Sequence, residues 1–229
     1  DIKELITYSS QNENLFDEKG MLLSPTMLPE VDRVAEEIYV SRYVSFYPAN
    51  ALEGLKIGVY EHSAVGRDIL SKVLRELGAE IISLGRSETF IPVDTEAIRE
   101  EDSRLAREWA KEGFFAIVST DGDSDRPLLS DENGEWLRGD VLGILAATAL
   151  GISSVATPVS CNTALEKCNR FKKICRTRIG SPYVIEGMES LAQDFNSVAG
   201  YEANGGFLLQ TDVEKAGKIL KALPTRDAL

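Results

Sequence analysis

A chain of 229 residues with one histidine, His62, has little scope for a Ser-His-Asp hydrolase. Cysteine is scarce as well. Cys161, Cys168 and Cys175 lie seven apart and are odd in number, which argues against a disulfide framework. Their spacing fits no zinc pattern, and His62 is far away, so they read as small core or surface residues. No apolar run approaches the roughly 20 residues of a membrane span, and no signal peptide opens the chain. The expectation is a cytoplasmic protein. Basic residues are also in deficit, with 25 Lys and Arg against 37 Asp and Glu, a net charge of −12. No basic patch or stripe appears, so neither nucleic acid nor a membrane surface is an expected partner. An anionic ligand would have to be drawn by local groups rather than by the overall field.

The chain does have enough apolar residues, 43%, for a packed core, and its length suits one large or two small domains. After an irregular segment over 1–28, apolar residues at helical spacing predict a helix over 25–43. From there strands and helices alternate. Strands are expected over 55–60, 79–84, 114–119 and 128–130, with helices over 65–77 and 94–111 between the first three. His62-Ser63 falls between a strand and a helix, where Ser63 suits an N-cap. The plan then recurs: a helix over 140–150 stopped by Gly151, then strands over 153–156, 172–176, 197–199 and 207–210. Helices are expected over 162–168 and from Ser181-Pro182 to Gln193. This predicts an α/β fold of two similar small domains, 29–137 and 138–229, each a mixed β-sheet packed with helices. Thr225 reads as the cap of a last helix at 226–229. With Asp1 rather than Met at the start, the expectation is a central piece of a longer protein.

One stretch concentrates chemistry. The apolar run Phe114–Val118 leads into Asp121-Gly-Asp-Ser-Asp-Arg126, three aspartates at alternate positions. At 4 Å and an effective dielectric near 20, each carboxylate pair repels by roughly 4 kcal/mol. The side chains can splay into water as a solvated turn, or they can bind a hard cation through oxygen ligands. Asp121, Asp123, Asp125 and Glu132 also match positions 1, 3, 5 and 12 of an EF-hand calcium loop, although Arg126 stands where that loop needs Gly. A strand ending in two aspartates one residue apart also suits an aspartyl-phosphate phosphatase. The loop Gly200-Tyr-Glu-Ala-Asn-Gly-Gly206 occupies the equivalent place in the second half. Its Glu202 and Asn204 can exchange hydrogen bonds with a vicinal diol.

Three segments in order resemble the phosphohexomutases, the phosphomannomutase/phosphoglucomutase family. Asp121–Arg126 is similar to the family's magnesium loop, with Ser124 where Gly is usual. Arg176-Thr-Arg-Ile-Gly-Ser-Pro is similar to its basic, apolar, glycine run before a helix. Gly200–Gly206 is similar to its sugar-binding loop, Gly-Gly-Glu-x-Ser-Gly-His, with Asn204 for Ser and Gly206 for His. The likeness covers about 29–229 and corresponds to the second and third of the family's four domains.

The resemblance implies interconversion of hexose 1-phosphate and hexose 6-phosphate through a phosphoserine and a bisphosphate intermediate, with mannose or glucose as the sugar. It implies Mg2+ on Asp121, Asp123 and Asp125, Arg126 beside the transferring phosphoryl group, Arg178 as the basic residue, and Glu202 and Asn204 on sugar hydroxyls. The chain holds no Ser-His-Asn-Pro stretch and no Arg-x-Ser-x-Thr phosphate loop. The first and fourth domains are therefore expected to be missing and the chain inactive alone. The alternative is a non-catalytic, metal-dependent sugar-phosphate binding module.

Overall fold

The computed structural model describes residues 16–19, 21, 23–24, 27 and 29–229. Most of the 1–28 segment thus lies outside the described residues. The chain divides into two compact units, residues 1–35 and 36–229. In the first, Asp17 Oδ1 accepts the N–H groups of Lys19 and Met21 in a tight turn.

Helix α1 spans Val34–Phe46. The expected helix over 25–43 lies partly outside the described residues, and residues 29–33 are not helical. Asp32 Oδ1 accepts the Val34 N–H at 2.8 Å where the helix starts. The apolar residues that suggested the earlier start, Val31, Val34 and Ile38, are exposed, whereas Val40, Tyr43 and Phe46 are buried.

Strands β1 (Lys56–Tyr60), β2 (Glu80–Leu84), β3 (Ala116–Thr120) and β4 (Pro127–Leu129) form one mixed sheet in the order β2-β1-β3-β4. The first three are parallel and β4 turns back antiparallel on β3. β1 and β3 are buried along most of their length, as strands covered on both faces must be. Helices α2 (Arg67–Glu76) and α3 (Glu100–Ala110) make the crossovers.

Two local expectations fail here. Asp94 does cap, accepting the N–H groups of Glu96 and Ala97, but only a bend. Arg99 is extended, so the helix starts at Glu100. Ser63 is no N-cap. Its hydroxyl accepts the Ile91 N–H at 2.8 Å and so pins a distant loop.

Helix α4 (Gly139–Leu150) leads into the second sheet and is stopped by Gly151 at φ 72°. This sheet contains β5 (Ser154–Pro158), β6 (Lys173–Thr177), β7 (Val198–Tyr201), β8 (Phe207–Leu209) and β11 (Leu223–Asp227) in the order β11-β8-β7-β5-β6. Helices α5 (Ala164–Lys167) and α6 (Ser181–Leu191) make its crossovers. β6, β5 and β7 are parallel, and β8 returns antiparallel on β7. That repeats the first sheet strand for strand. Ala156, Val184, Met188, Val198 and Leu208 pack at its centre with no exposed surface. Each of the larger four, Val184, Met188, Val198 and Leu208, contributes about 1.5–3 kcal/mol by leaving water.

The end of the chain departs from expectation. Thr225 opens no helix. Residues 223–227 form β11, which pairs irregularly with β8. Before it, β9 (Val213–Lys215) and β10 (Lys218–Leu220) make a hairpin. Ala216 and Gly217 turn it with positive φ at both positions, which matches the right-handed twist of the strands. Among the described residues no helix is long and apolar enough to cross a membrane.

Candidate functional site

The site grows from two equivalent reversals. In each sheet the third parallel strand ends in a polar loop, and the fourth strand returns from it. The β3–β4 loop carries the aspartates, and the β7–β8 loop carries Glu202 and Asn204.

The aspartate loop is held by its own backbone. Asp121 Oδ1 accepts the N–H groups of Asp125 and Arg126, both at 3.2 Å. The Asp121 N–H returns to the Arg126 carbonyl, and Ser124 N–H donates to the Asp121 carbonyl. Closing the loop this tightly puts Ser124 at φ 63°. A glycine would adopt that angle freely, whereas a side chain there is strained. Ser124 recovers some of this through its hydroxyl, which accepts the Gly66 N–H at 2.9 Å and lies 3.0 Å from Thr120 Oγ1.

One carboxylate oxygen from each of Asp121, Asp123 and Asp125 falls within 4.8 Å of the others. Asp121 is buried, and burial followed by the charge of Asp123 pushes its carboxyl up to about 6. Arg126 answers part of the repulsion, its Nε lying 3.6 Å from Asp121 and 3.5 Å from Asp125. Among the described residues, Asp125 Oδ1 and Arg126 Nε are buried without a hydrogen-bond partner. Three hard oxygen donors, one of them raised in pKa by burial and by its acidic neighbour, fit a divalent cation such as Mg2+ or Ca2+.

The second loop is as tight. Glu202 N–H donates to the Gly206 carbonyl, and Gly205 N–H to the Glu202 carbonyl. Asn204 Oδ1 accepts the Gly206 N–H at 3.0 Å. The loop docks on the first α/β region, because buried Thr95 donates its hydroxyl to the Asn204 carbonyl at 2.9 Å. A Cβ on Gly139, at the start of α4, would come 2.3 Å from Gly205 N, so that contact requires glycine. Glu202 is buried, and burial pushes its carboxyl up.

Of the seven residues singled out in the sequence, Asp121, Asp123, Asp125 and Arg126 gather in the first loop and Glu202 and Asn204 in the second. Arg178 does not join them by contact. It lies just beyond β6, exposed, with its guanidinium 5.6 Å from the Tyr183 ring centre. It does share the C-terminal edge of the parallel strands with Glu202, two strands away.

Two other residues matter and were not singled out. Thr95 is one. Arg226 is the other: Nη2 lies 2.7 Å from Asp125 Oδ2, and Nη1 lies 4.0 Å from Glu202 Oε2. Only a strand over 223–227 brings it there, and Pro224 hides that strand from the sequence.

An α/β protein with an acidic cation-type loop facing a carboxylate-amide loop is the class that fold and site define. Comparison with known proteins gives the family. The sequence model for phosphoglucomutase/phosphomannomutase alpha/beta/alpha domain II matches residues 37–134, and that for domain III matches residues 138–228. The chain belongs to the phosphoglucomutase/phosphomannomutase family. It is 50% identical over 200 residues to a phosphomannomutase of Salmonella muenchen, covering 87% of this chain and 42% of that protein. It is 48% identical over 197 residues to a phosphomannomutase of Sinorhizobium fredii, covering 85% and 41%. A family protein of Burkholderia thailandensis of known structure shares the fold with a TM-score of 0.61 at 16% identity, over 77% of this chain and 39% of that one. The chain thus spans about two-fifths of the length of the curated relatives it matches.

Proposed function

We propose that this chain is the central part of a phosphohexomutase that interconverts hexose 1-phosphate and hexose 6-phosphate in the cytoplasm, with mannose as the first sugar to test and glucose as the second. The observation that carries the reading is the pairing of the two loops: Asp125, one of the three clustered carboxylates, is joined through Arg226 to Glu202 of the other loop. A transferable phosphoryl group needs charge neutralisation, and a sugar needs polar groups for its hydroxyls. The two loops offer these side by side.

In this reading Asp121, Asp123 and Asp125 hold Mg2+, which when bound neutralises charge on the transferring phosphoryl group. Arg126 adds a fixed positive charge beside it. Arg178 supplies a second from the edge of the sheet, and as a guanidinium it stabilises negative charge rather than accepting a proton. Glu202 and Asn204 orient the sugar ring. The phosphoryl-carrying serine comes from the remainder of the full-length protein, so residues 1–229 alone do not turn over substrate. The 50% identity to a phosphomannomutase supports mannose over other hexoses.

The test is a mutase assay on the full-length parent with Mg2+, comparing mannose 1-phosphate with glucose 1-phosphate. Conversion that Asp123→Asn abolishes is the expected result, and the ratio of rates names the sugar. Hexose phosphate binding without conversion of either sugar would replace this reading with a non-catalytic binding module.

A further inference from the structure

Gly206 ends the sugar-loop segment, and the space a side chain would take there is already filled. A Cβ built on Gly206 would lie 2.9 Å from Arg226 Cδ and 3.0 Å from Arg226 Cγ. The filler is the stem of an arginine that belongs to a different strand. From that stem the guanidinium extends between the two loops, with Nη2 on Asp125 and Nη1 4.0 Å from Glu202. The nearer carboxylate is half satisfied: among the described residues Asp125 Oδ1 has no hydrogen-bond partner, and neither has Glu202 Oε2, although both are buried. A cation set between the part-exposed Asp125 and the buried Glu202, each with one carboxylate oxygen unpartnered among the described residues, and with a quarter of its own side chain still open to solvent, is placed to meet a ligand in the same gap.

We infer that Arg226 is a substrate-binding residue, the cationic donor of the sugar-binding loop, occupying the place that the loop pattern usually gives to a histidine at position 206. The inference rests on the hexose phosphate reading given above. Its chemistry differs from that of an imidazole in two ways. A guanidinium stays protonated throughout the physiological range, so the interaction has no titration near neutrality. It also presents several N–H donors in one plane, so it can keep Asp125 or Glu202 on one edge and offer the other to a sugar hydroxyl or phosphate oxygen. Gly206 is the complement of this arrangement, because any side chain there would displace the arginine stem.

The experiment uses the full-length parent with Mg2+ and mannose 1-phosphate, following KM and kcat separately across pH 5.5–8.5. Arg226→Ala should raise KM about tenfold or more, and Arg226→Lys should recover part of that, since it restores charge without the planar donors. Gly206→His alone should be impaired by the clash with Arg226. The exchange variant Gly206→His with Arg226→Gly should regain activity over either single change and acquire an ionisation near pH 6.5 in kcat/KM, absent from the parent. A purely structural arginine would not create that new ionisation. If the parent is active and folded Arg226→Ala and Arg226→Lys keep the parent KM, the inference falls while the mutase reading stands. If the parent neither binds nor converts any hexose phosphate, the mutase reading falls and takes this inference with it.

Discussion

Ser124 and Gly66 are matched across the aspartate loop. The Gly66 N–H donates to Ser124 Oγ at 2.9 Å, and a Cβ on Gly66 would lie 2.8 Å from Ser124 Cβ. The loop that gathers the carboxylates is thereby seated on the entrance to α2. Gly66→Ala should cost about 1–3 kcal/mol, since Ser124 is held by a tight turn and cannot withdraw freely. Ser124→Gly removes a hydrogen bond worth about 1 kcal/mol and relieves strain of similar size, so it should be nearly neutral. Ser124→Ala keeps the strain and loses the bond, and should cost about 1–2 kcal/mol. The double variant Gly66→Ala with Ser124→Gly should be more stable than Gly66→Ala alone. Urea denaturation of the four proteins measures the coupling, and strict additivity would show that the two positions are independent.

The aspartates should make the metal-free protein sensitive to pH in an unusual direction. The Asp121 carboxyl is pushed up from 3.8 to about 6 by burial and by Asp123. A carboxyl with a raised folded-state pKa contributes stability that is complete below its unfolded value and is lost as pH rises through the folded one. The metal-free chain should therefore lose up to about 3 kcal/mol from this group between pH 4 and pH 7. Added Mg2+ should raise Tm at pH 7 and do so less below pH 6, where protons compete for the same oxygens. Asp123→Asn removes one of the repelling charges and one ligand, so it should raise the metal-free Tm and abolish the response to Mg2+. Thermal melts at several pH values test both halves, and a lower metal-free Tm for Asp123→Asn would contradict the electrostatic account.

How far the sequence speaks can be followed residue by residue. β1, β3, β5 and β7 are legible because they are buried on both faces and so appear as apolar runs. Gly151 and Ser181-Pro182 mark helix ends through backbone chemistry that is local. Asp121, Asp123 and Asp125 are legible because three carboxylates within five residues demand an explanation. The β9–β10 hairpin is not, because its turn uses Ala216-Gly217 in place of the usual Asn-Gly or Asp-Gly. β11 is hidden by Pro224, which a sheet edge with irregular pairing tolerates and a central strand would not. With β11 hidden, Arg226 cannot be seen as a neighbour of Asp125, about 100 residues earlier. Contacts of that range belong to the fold and leave no local mark.

Thr95 should link stability to the geometry of the sugar loop. Its hydroxyl is buried and donates to the Asn204 carbonyl at 2.9 Å. Thr95→Val keeps the shape of the side chain but leaves that carbonyl without its donor, at a cost of about 1–3 kcal/mol. Thr95→Ser retains the hydroxyl and should cost less. In the full-length parent, Thr95→Val should also raise KM for hexose phosphate more than it lowers kcat, since Asn204 belongs to the proposed binding loop. An equal loss of stability in the Val and Ser variants would mean that the methyl group, not the hydrogen bond, holds the loop.

His62 offers a direct electrostatic reading of the β1 end of the site, because it is the one imidazole in the chain. It is fully buried, its Nε2 lies 2.9 Å from the Thr120 carbonyl, and only a protonated Nε2 can donate there. Among the described residues Nδ1 has no partner. Charging the ring would place a second proton on a nitrogen that faces no acceptor among the described residues. Burial accordingly holds its pKa below the ordinary 6.5. A histidine with a depressed folded-state pKa contributes stability that is present above its unfolded value and is lost as pH falls. His62 thus opposes Asp121 in the bulk pH profile, and a local probe is needed to separate them. The single imidazole Cε1–H signal in a two-dimensional NMR spectrum supplies one. It should keep the shift of the neutral Nε2–H tautomer at pH 6.5 and below, and a titration midpoint at or above 6.5 would show that water reaches the ring.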